Sequence, residues 1–415
     1  MISVRSRLQL LSGNRWPLFL WVALVIASCS PKVRTVTVQP VVKQPEKPVE
    51  QPVIKPLPPP APKVSTVSLL LPFGLDHLKP GNSYSGVSLK EADIALAYYR
   101  GFKLSLDSLT GKGYNYKLQV YDSKALASAS RALAANTVVK ASDLIVGPVF
   151  PEDMKAFMSG FYNSTQPIVS PLSPAPPATF KNKQLITMIP PLEYHAWSAA
   201  RYINDDVKPK KIFILRSGYS DENDYIIPFK KAIDSLGKKH IRIIEYTVLH
   251  GELGSLEPQL STTGPNVFVV PANNQHFLTI TLNSLDTLTR SFPVTLYGHP
   301  NWVNFAFLKS DLLERLDTHI TLAEHVDYKD AGTITFIQQY KRAYHAEPNA
   351  FAIKGFDEGL YLGALLATDK LKDVTQTDFK GLHNTFHFQK KPGLGWVNTH
   401  VNLYKYANFE LEKVE

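Results

Sequence analysis

The chain of 415 residues has a single cysteine, Cys29, so an intramolecular disulfide is excluded. It also lacks the short motifs of common catalytic sites: Gly-x-Ser-x-Gly, Gly-x4-Gly-Lys-[Ser/Thr], Gly-x-Gly-x-x-Gly and His-Glu-x-x-His. The enzyme classes that use these motifs are therefore not supported. We expect a protein without catalysis and without a cofactor.

Acidic and basic residues are nearly balanced over most of the chain. The net charge is +9, but residues 1–64 carry nine basic and two acidic side chains, which leaves 36 basic against 34 acidic in the remainder. A nearly neutral body gives little support to nucleic-acid binding, which depends on neutralising phosphates. The length and the 44% hydrophobic content fit a globular protein of two domains.

No apolar run is long enough to rest as a membrane span. The longest one near the start, Trp16–Ile26, follows Arg5, Arg7 and Arg15 and runs into Ile26-Ala27-Ser28-Cys29. This pattern resembles a bacterial lipoprotein signal with its lipobox, and the resemblance implies that residues 1–28 are removed and that Cys29 is acylated. The alternative is a signal peptide with an incidental cysteine.

Residues 29–63 are predicted to be the lipidated cysteine and a Pro-rich tether. An extended segment of this kind spans about 3 Å per residue, or on the order of 100 Å in all. Ser30 is followed by Pro31 and Lys32 rather than by an acidic residue. By resemblance to lipoproteins, this favours the outer membrane, with the protein facing the periplasm, over the inner membrane.

The folded body is organised around residues 141–173. Asp143–Val146 and Gln166–Val169 are short apolar runs bounded by Gly-Pro and Ser-Pro, and a helical repeat lies between them. A strand, helix and strand in this order form a parallel, right-handed crossover, and ligands bind beyond the carboxyl ends of such strands. The segments Val149–Glu152 and Leu172–Pro176 are therefore expected at the rim of a cleft.

The same alternation continues along the chain and restarts after Pro191, which predicts two doubly wound α/β lobes. Further strands are predicted at Ser65–Leu71, Tyr116–Tyr121, Lys211–Leu215, Ile241–Tyr246, Asn266–Val270 and Val294–Tyr297. The polar segment Asn82–Lys90 is predicted to be a mobile loop at the cleft.

Six motifs occur in the order seen in type I periplasmic binding proteins of the branched-chain amino-acid-binding class. They are Pro72-Phe73-Gly74, Tyr99-Arg100-Gly101-Phe102, Tyr121-Asp122-Ser123, Ile145-Val146-Gly147-Pro148, Ile168-Val169-Ser170-Pro171 and Gly355-Phe356-Asp357. The chain thus resembles that family from Ser65 to Glu415. The resemblance implies two lobes joined by three crossovers, with residues 65–187 and 319–384 in lobe 1 and residues 188–318 and 385–415 in lobe 2.

The resemblance also places a ligand site between the lobes. In amino-acid-binding members, hydroxyls after the Gly-Pro turn and after Ser-Pro hold the carboxylate and the amine of the ligand. Here the first position has Phe150 and Glu152, and the second has Ser173 followed by Pro174. These are the candidate ligand-binding residues of lobe 1, and they put the grip on a free amino acid in doubt because a buried charged ligand needs paired anchors.

In lobe 2, Asn273, Asn274 and Trp302 are the candidate ligand-binding residues. Trp302 suits stacking on a sugar or a peptide, and its alternative is packing between the lobes. The two asparagines could instead cap a helix that starts near Gln275.

Two other sets of polar residues are assigned structural roles. Asp122 and Asp357 are interpreted as residues that cap helices or tie loops. His383 and His387 have a spacing that metal sites use, but no third ligand is evident, so no metal is expected.

Two functions remain open. The first is a lipid-anchored periplasmic protein that binds a small polar solute, similar to an amino acid or a peptide, for an ABC permease. The second is an outer-membrane lipoprotein that activates a penicillin-binding protein and so regulates peptidoglycan synthesis. The outer-membrane anchor and the long tether favour the second function, and the family resemblance favours the first.

Replacement of Cys29 by Ala should release the protein from membranes, because no other side chain of the lipobox can carry the acyl chains. The measurement is the distribution of the protein between membrane and soluble periplasmic fractions. Unchanged partition into membranes would contradict the lipid anchor.

Overall fold

A computed structural model describes residues 63–161, 165–237, 240–372, 374 and 378–415. The predicted signal peptide, Cys29 and the tether up to residue 62 lie outside the described residues. Within them, the strands form two seven-stranded sheets and a separate two-stranded ribbon. Among the described helices, none combines the length and the apolar content that a membrane crossing requires.

In the first half of the chain, the strands coincide closely with the apolar runs predicted to form strands. The strands at the centre of each sheet are short and buried. In chain order they are β1 (Val64–Leu71), β2 (Asn115–Asp122), β3 (Leu144–Val146), β4 (Ile168–Ser170), β5 (Leu185–Thr187), β6 (Lys211–Arg216), β7 (Arg242–Thr247), β8 (Asn266–Val270), β9 (Val294–Gly298), β10 (Thr318–Leu322), β11 (Phe379–Lys380), β12 (Thr385–Phe386), β13 (Phe388–Lys391), β14 (Gly395–Asn398), β15 (Asn402–Ala407) and β16 (Glu410–Lys413).

Helices cover the faces of both sheets. They are α1 (Gly86–Thr110), α2 (Ala127–Ala135), α3 (Thr137–Lys140), α4 (Pro151–Met158), α5 (Leu192–Tyr202), α6 (Asn223–Leu236), α7 (Gln275–Leu288), α8 (Ser310–Arg315), α9 (Ala331–Tyr344) and α10 (Ala350–Ala367).

The sheet of lobe 1 has the order β13-β14-β5-β4-β3-β1-β2. Its neighbours are parallel except for the antiparallel pair β13 and β14. All residues of β3, β4 and β5 are buried, as expected for parallel strands with a hydrophobic cluster on each face.

The sheet of lobe 2 has the matching order β16-β15-β10-β9-β8-β6-β7 and is parallel from β7 to β10. The chain passes between the two sheets three times: after β5, after β10 and after β14. The predicted fold class, two doubly wound lobes joined by three crossovers, is confirmed.

The late part of the chain is distributed between the sheets differently from the predicted boundaries. Strand β10, which those boundaries assign to lobe 1 from residue 319, pairs with β9 in the sheet of lobe 2. Strands β13 and β14, assigned to lobe 2, extend the sheet of lobe 1 through β5. Sequence patterns indicate that a strand forms, but hydrogen bonding to a partner decides which sheet it joins.

The segment Asn82–Lys90 is a loop only over its first four residues. Helix α1 begins at Gly86 with a capping box. The hydroxyl of Ser85 accepts a hydrogen bond from the backbone N–H of Ser88 at 3.1 Å, and the hydroxyl of Ser88 accepts one from the backbone N–H of Ser85 at 2.8 Å. This reciprocal capping satisfies two donors of the first turn and extends the helix into the polar segment.

The long helices α1 and α10 of lobe 1 approach each other backbone to backbone. A Cβ added at Gly101 would lie 1.8 Å from the carbonyl oxygen of Ala352, and one added at Gly355 would lie 2.2 Å from that of Tyr98. Glycine is therefore required at the contact, since no side-chain movement can relieve a clash with backbone.

Gly101→Ala should lower the free energy of unfolding by about 3 kcal/mol or more, because overpacking against backbone forces the helices apart. Gly86→Ala is the matched control: it adds the same methyl group to the same helix, with nothing within 4 Å, and should leave stability unchanged or slightly higher. Denaturant unfolding measures both. Equal stability of the two variants would refute the role of the contact.

Candidate functional site

The candidate site lies where the carboxyl ends of the parallel strands of each lobe give way to loops. Every candidate ligand-binding residue named from the sequence is on such a loop or on the helix that follows it. Phe150 ends the loop after β3, Glu152 lies in the first turn of α4 that follows it, and the loop after β4 carries Ser173. The loops after β8 and β9 carry the candidates of lobe 2.

The first anchor position has no hydroxyl. Phe150 stands at the N-cap of α4 without a side-chain cap, and its partly buried ring packs against the core of lobe 1. Glu152 is exposed in the first turn of the helix. A phenyl ring and a carboxylate here provide no neutral donor for a ligand carboxylate.

Asp153, which the sequence reasoning missed, makes this position acidic. Its side chain is 4% exposed, and its Oδ2 has no hydrogen-bond partner. Burial raises the pKa of Asp153 to about 6, and the carboxylates of Glu91 and Glu152 add to the rise. Acidic residues are common in the first turn of a helix. The sequence pattern therefore does not distinguish the buried Asp153 from an ordinary exposed one. The consequence is a concentration of carboxyl groups at the start of α4, with Glu152 exposed and Asp153 buried.

Ser173 is buried and engaged locally. Its side chain is 5% exposed, and its Oγ accepts a hydrogen bond from the backbone N–H of Ala175 at 3.2 Å. This is the turn-stabilising bond that serine often forms two residues before a backbone donor. The one hydroxyl expected to hold a ligand amine or carboxylate thus already stabilises its own loop.

The two asparagines of lobe 2 have different roles. Asn274 caps helix α7, since its Oδ1 accepts from the backbone N–H of Phe277 at 2.9 Å, so the capping alternative is confirmed for this residue. Asn273 is partly buried, and its Oδ1 has no hydrogen-bond partner. Of the residues named from the sequence, Asn273 is the one whose unpaired polar atom suits a ligand contact.

Trp302 does not form a stacking surface at the cleft mouth. The side chain is 1% exposed, its Nε1 donates to the carbonyl oxygen of Ala272 at 2.9 Å, and its ring lies against Gly298, where an added Cβ would be 2.4 Å from Cε3. The prediction of stacking is therefore corrected. The packing alternative applies, but within the core of lobe 2 rather than between the lobes.

The two aspartates tie loops, as interpreted from the sequence. Asp122 accepts from the backbone N–H groups of Gly74 at 3.0 Å and Leu75 at 2.7 Å. Asp357 is fully buried on α10 and accepts from three successive backbone N–H groups of residues 382–384. Burial nevertheless raises the pKa of Asp357 to about 6.

A network of charged and polar groups next to Asp357 ties the second crossover to α10. Lys354 and Glu324, both partly buried, pair at 2.6 Å, and the backbone of Glu324 forms an isolated antiparallel β-bridge with Asn384. Glu358 accepts from the hydroxyl of Tyr98 at 2.7 Å, and burial raises the pKa of Glu358 well above its usual value. Among the described residues, no group of three or more His, Cys, Asp or Glu side chains could hold a metal ion.

Apolar side chains line the rim of both lobes. In lobe 1, Leu75 and Leu78 follow β1, and Val87 and Leu89 lie in the first turn of α1; each is more than half exposed. In lobe 2, Tyr219 is 61% exposed in the loop after β6. Large apolar side chains are therefore exposed in the loops of both lobes.

No protein-family model matches the chain, and no curated protein matches its sequence. Solved structures do match. A branched-chain amino acid ABC transporter protein from Rhodospirillum rubrum has a TM-score of 0.61 at 14% identity, over 85% of this chain and 100% of that one. An ABC transporter substrate-binding protein from Desulfitobacterium hafniense, in complex with Leu, has a TM-score of 0.55 at 16% identity over 85% and 100%.

The C-domain of LpoA from Haemophilus influenzae, a regulator of PBP1A, matches equally well. Its TM-score is 0.55 at 14% identity, over 85% of this chain and 100% of that domain. At such identities the matches show the fold alone, which is that of the type I periplasmic binding proteins. Both a solute-binding protein and a regulator of a penicillin-binding protein use this fold.

Thermal unfolding should become less sensitive to pH when Asp153 is replaced by Asn. A carboxyl group whose pKa rises from 3.8 to about 6 on folding stabilises the native state below pH 4, and that contribution is lost as the pH rises through 6. This carboxyl group should therefore contribute a fall in the melting temperature of the wild type between pH 4 and 6.5. The fall should be smaller in Asp153→Asn, though not zero, since Asp357 and Glu358 act in the same direction.

A melting curve of Asp153→Asn that follows the wild type at every pH would show that this carboxyl does not titrate in the native state as its burial implies.

Proposed function

We propose that this chain is a non-catalytic envelope lipoprotein that regulates a peptidoglycan synthase by direct contact. The observation that carries the proposal is the state of the expected amino-acid grip. Ser173 is buried and its Oγ accepts a hydrogen bond within its own turn, Phe150 stands where a hydroxyl is expected, and the buried Asp153 adds a carboxyl group beside it. A zwitterionic amino acid would lose the paired anchors on which its desolvation depends.

The exposed apolar rim supports contact with a protein. Leu78, in the turn after β1, is 68% exposed, and Leu89, in the first turn of α1, is 58% exposed. Exposed large apolar side chains are typical of surfaces that another protein covers when they form one patch. The LpoA C-domain, a regulator of PBP1A, has the same fold.

The proposal includes the predicted anchor. Acylation of Cys29 would hold the protein at the outer membrane, and an extended tether of about thirty residues would give the body a reach on the order of 100 Å into the periplasm. That reach suits contact with a synthase held in the other membrane. It is less suited to the delivery of solute to an inner-membrane permease.

The second candidate is binding of a small polar solute between the lobes. The unpaired Oδ1 of Asn273 favours it, since a ligand donor would satisfy that atom. The acidic rim at Asp153 indicates a neutral or cationic solute rather than an anionic one.

Binding assays with the soluble Cys29→Ala protein distinguish the two functions. The regulator predicts a complex with a penicillin-binding protein of the same bacterium in surface plasmon resonance, and no rise in melting temperature with leucine, short peptides or neutral sugars. A thermal shift with one of these solutes, together with no complex, would overturn the proposal in favour of solute binding.

A matched pair of variants then tests the rim. Leu78→Glu combined with Leu89→Glu should weaken the complex by at least about tenfold, because charges would be buried in an apolar contact. The control is Ile227→Glu, which places the same charge on a side chain that is 64% exposed on α6. Equal affinity of all three proteins would place the contact elsewhere.

A further inference from the structure

A concave site next to the third crossover stands apart from the candidate site described above. Its volume is about 730 Å³, within the range typical of small-molecule pockets. One wall is helix α5 of lobe 2, the opposite wall is strand β13 of lobe 1, and the crossover residues 399–401 lie between them. The site therefore includes residues of both lobes.

The wall on α5 presents one helix face. Tyr194, Trp197, Ser198 and Arg201 follow the spacing i, i+3, i+4 and i+7, so their side chains project on the same side. Tyr194 and Trp197 are only partly buried. Their rings provide flat, amphipathic surface on which a sugar or an aromatic ring can stack.

One hydroxyl of this wall has no hydrogen-bond partner. The Oγ of Ser198 is buried and unpaired in a residue that is 8% exposed, whereas the hydroxyl of Tyr194 interacts with the ammonium of Lys391. An unpaired buried hydroxyl costs about 1 to 3 kcal/mol. A ligand oxygen that accepts a hydrogen bond from Ser198 would remove that cost, so the unpaired hydroxyl favours a ligand with an acceptor at this position.

The charge of the lining is positive. Four cations, Arg201, Lys231, Lys391 and Lys413, face two carboxylates, Glu193 and Glu415. Arg201 pairs with Glu415 at 2.5 Å, while Lys391 is 3.9 Å from Glu193.

The ammonium of Lys391 also lies 5.2 Å from the centre of the Tyr194 ring, where the ring helps to hold the charge at the rim. Of the two histidines of the lining, His387 pairs with Asp378, and burial lowers the pKa of His400.

We propose that this concavity binds a small ligand that combines a carboxylate with a ring. The cations of the lining form ion pairs with the carboxylate of the ligand. The rings of Tyr194 and Trp197 stack on its ring, and the hydroxyl of Ser198 donates a hydrogen bond to a ligand oxygen. Since β13 and α5 belong to different lobes, a bound ligand bridges them and favours the lobe arrangement in which both walls are in contact with it. The inference does not depend on the partner of the protein.

Paired probes test the ligand class by isothermal titration calorimetry on the Cys29→Ala protein. N-acetylmuramic acid and benzoate carry a carboxylate and a ring; N-acetylglucosamine and benzamide are their uncharged counterparts; inorganic phosphate is an anion without a ring. At least one carboxylate should bind about tenfold or more tightly than its neutral counterpart and than phosphate. No binding of either carboxylate, or equal binding of a neutral counterpart, would overturn the proposal.

Variants locate the binding. Ser198→Ala removes the unpaired hydroxyl and should weaken the carboxylate that binds by about fivefold or more, while the melting temperature of the free protein stays equal or rises. Ser130→Ala is the matched control, since Ser130 is fully buried with an unpaired hydroxyl on α2, outside the pocket. It should leave affinity unchanged.

Lys391→Gln tests the charge and should weaken binding of the carboxylate by about tenfold without changing the affinity of a neutral counterpart. Wild-type affinity in both Ser198→Ala and Lys391→Gln would show that the ligand binds elsewhere and would overturn the proposal.

Discussion

The arrangement of lobe 1 depends on the direct backbone contact between α1 and α10. Gly101 and Gly355 allow the two helices to approach until there is no room for a methyl group, and Gly359 continues the contact one turn further, where an added Cβ would lie 2.0 Å from Oγ of Ser105. Such proximity gives dense packing over a long interface but leaves no tolerance for displacement. The position of everything that α10 carries is therefore determined by this contact.

Helix α10 carries the side chains that attach the crossover segments to lobe 1. Asp357 holds three backbone donors of the segment that leads to β12, and Lys354 pairs with Glu324 on the crossover that follows β10. His325 donates from its backbone N–H to the carbonyl oxygen of His383 at 3.1 Å, which joins the two segments directly. Ionic and backbone bonds thus fix these two segments to α10 and to each other, where apolar packing alone would permit sliding. A buried charge that loses its partner here would be costly, which favours one arrangement of the segments over alternatives.

The candidate site and the concavity beside the third crossover differ in electrostatic character. In the loops after β3 and β4, Asp153 is desolvated near Glu91 and Glu152, and the Oγ of Ser173 accepts a hydrogen bond within its own turn. Beside the third crossover, four cations outnumber two carboxylates, and the Oγ of Ser198 is unpaired. An anion is accordingly disfavoured at the first region and favoured at the second. A fold that binds amino acids in other proteins can in this way present a surface for a partner at one edge and a site for a small anion at another.

The sequence by itself determined the class of fold, because period-2 and period-3.6 apolar patterns and the Gly-Pro and Ser-Pro turns that follow buried strands are local properties of the chain. It also identified the loops that flank the site. It did not determine which sheet β10, β13 and β14 join, since hydrogen bonding with a distant strand decides that. Nor did it determine that Trp302 lies in the core or that the Oγ of Ser173 accepts a hydrogen bond within its own turn. The burial of Asp153 and the unpaired hydroxyl of Ser198 were not determined by the sequence either. Those facts depend on which side chains from distant segments surround each group, and only the tertiary structure decides how much water and which partners a polar atom retains.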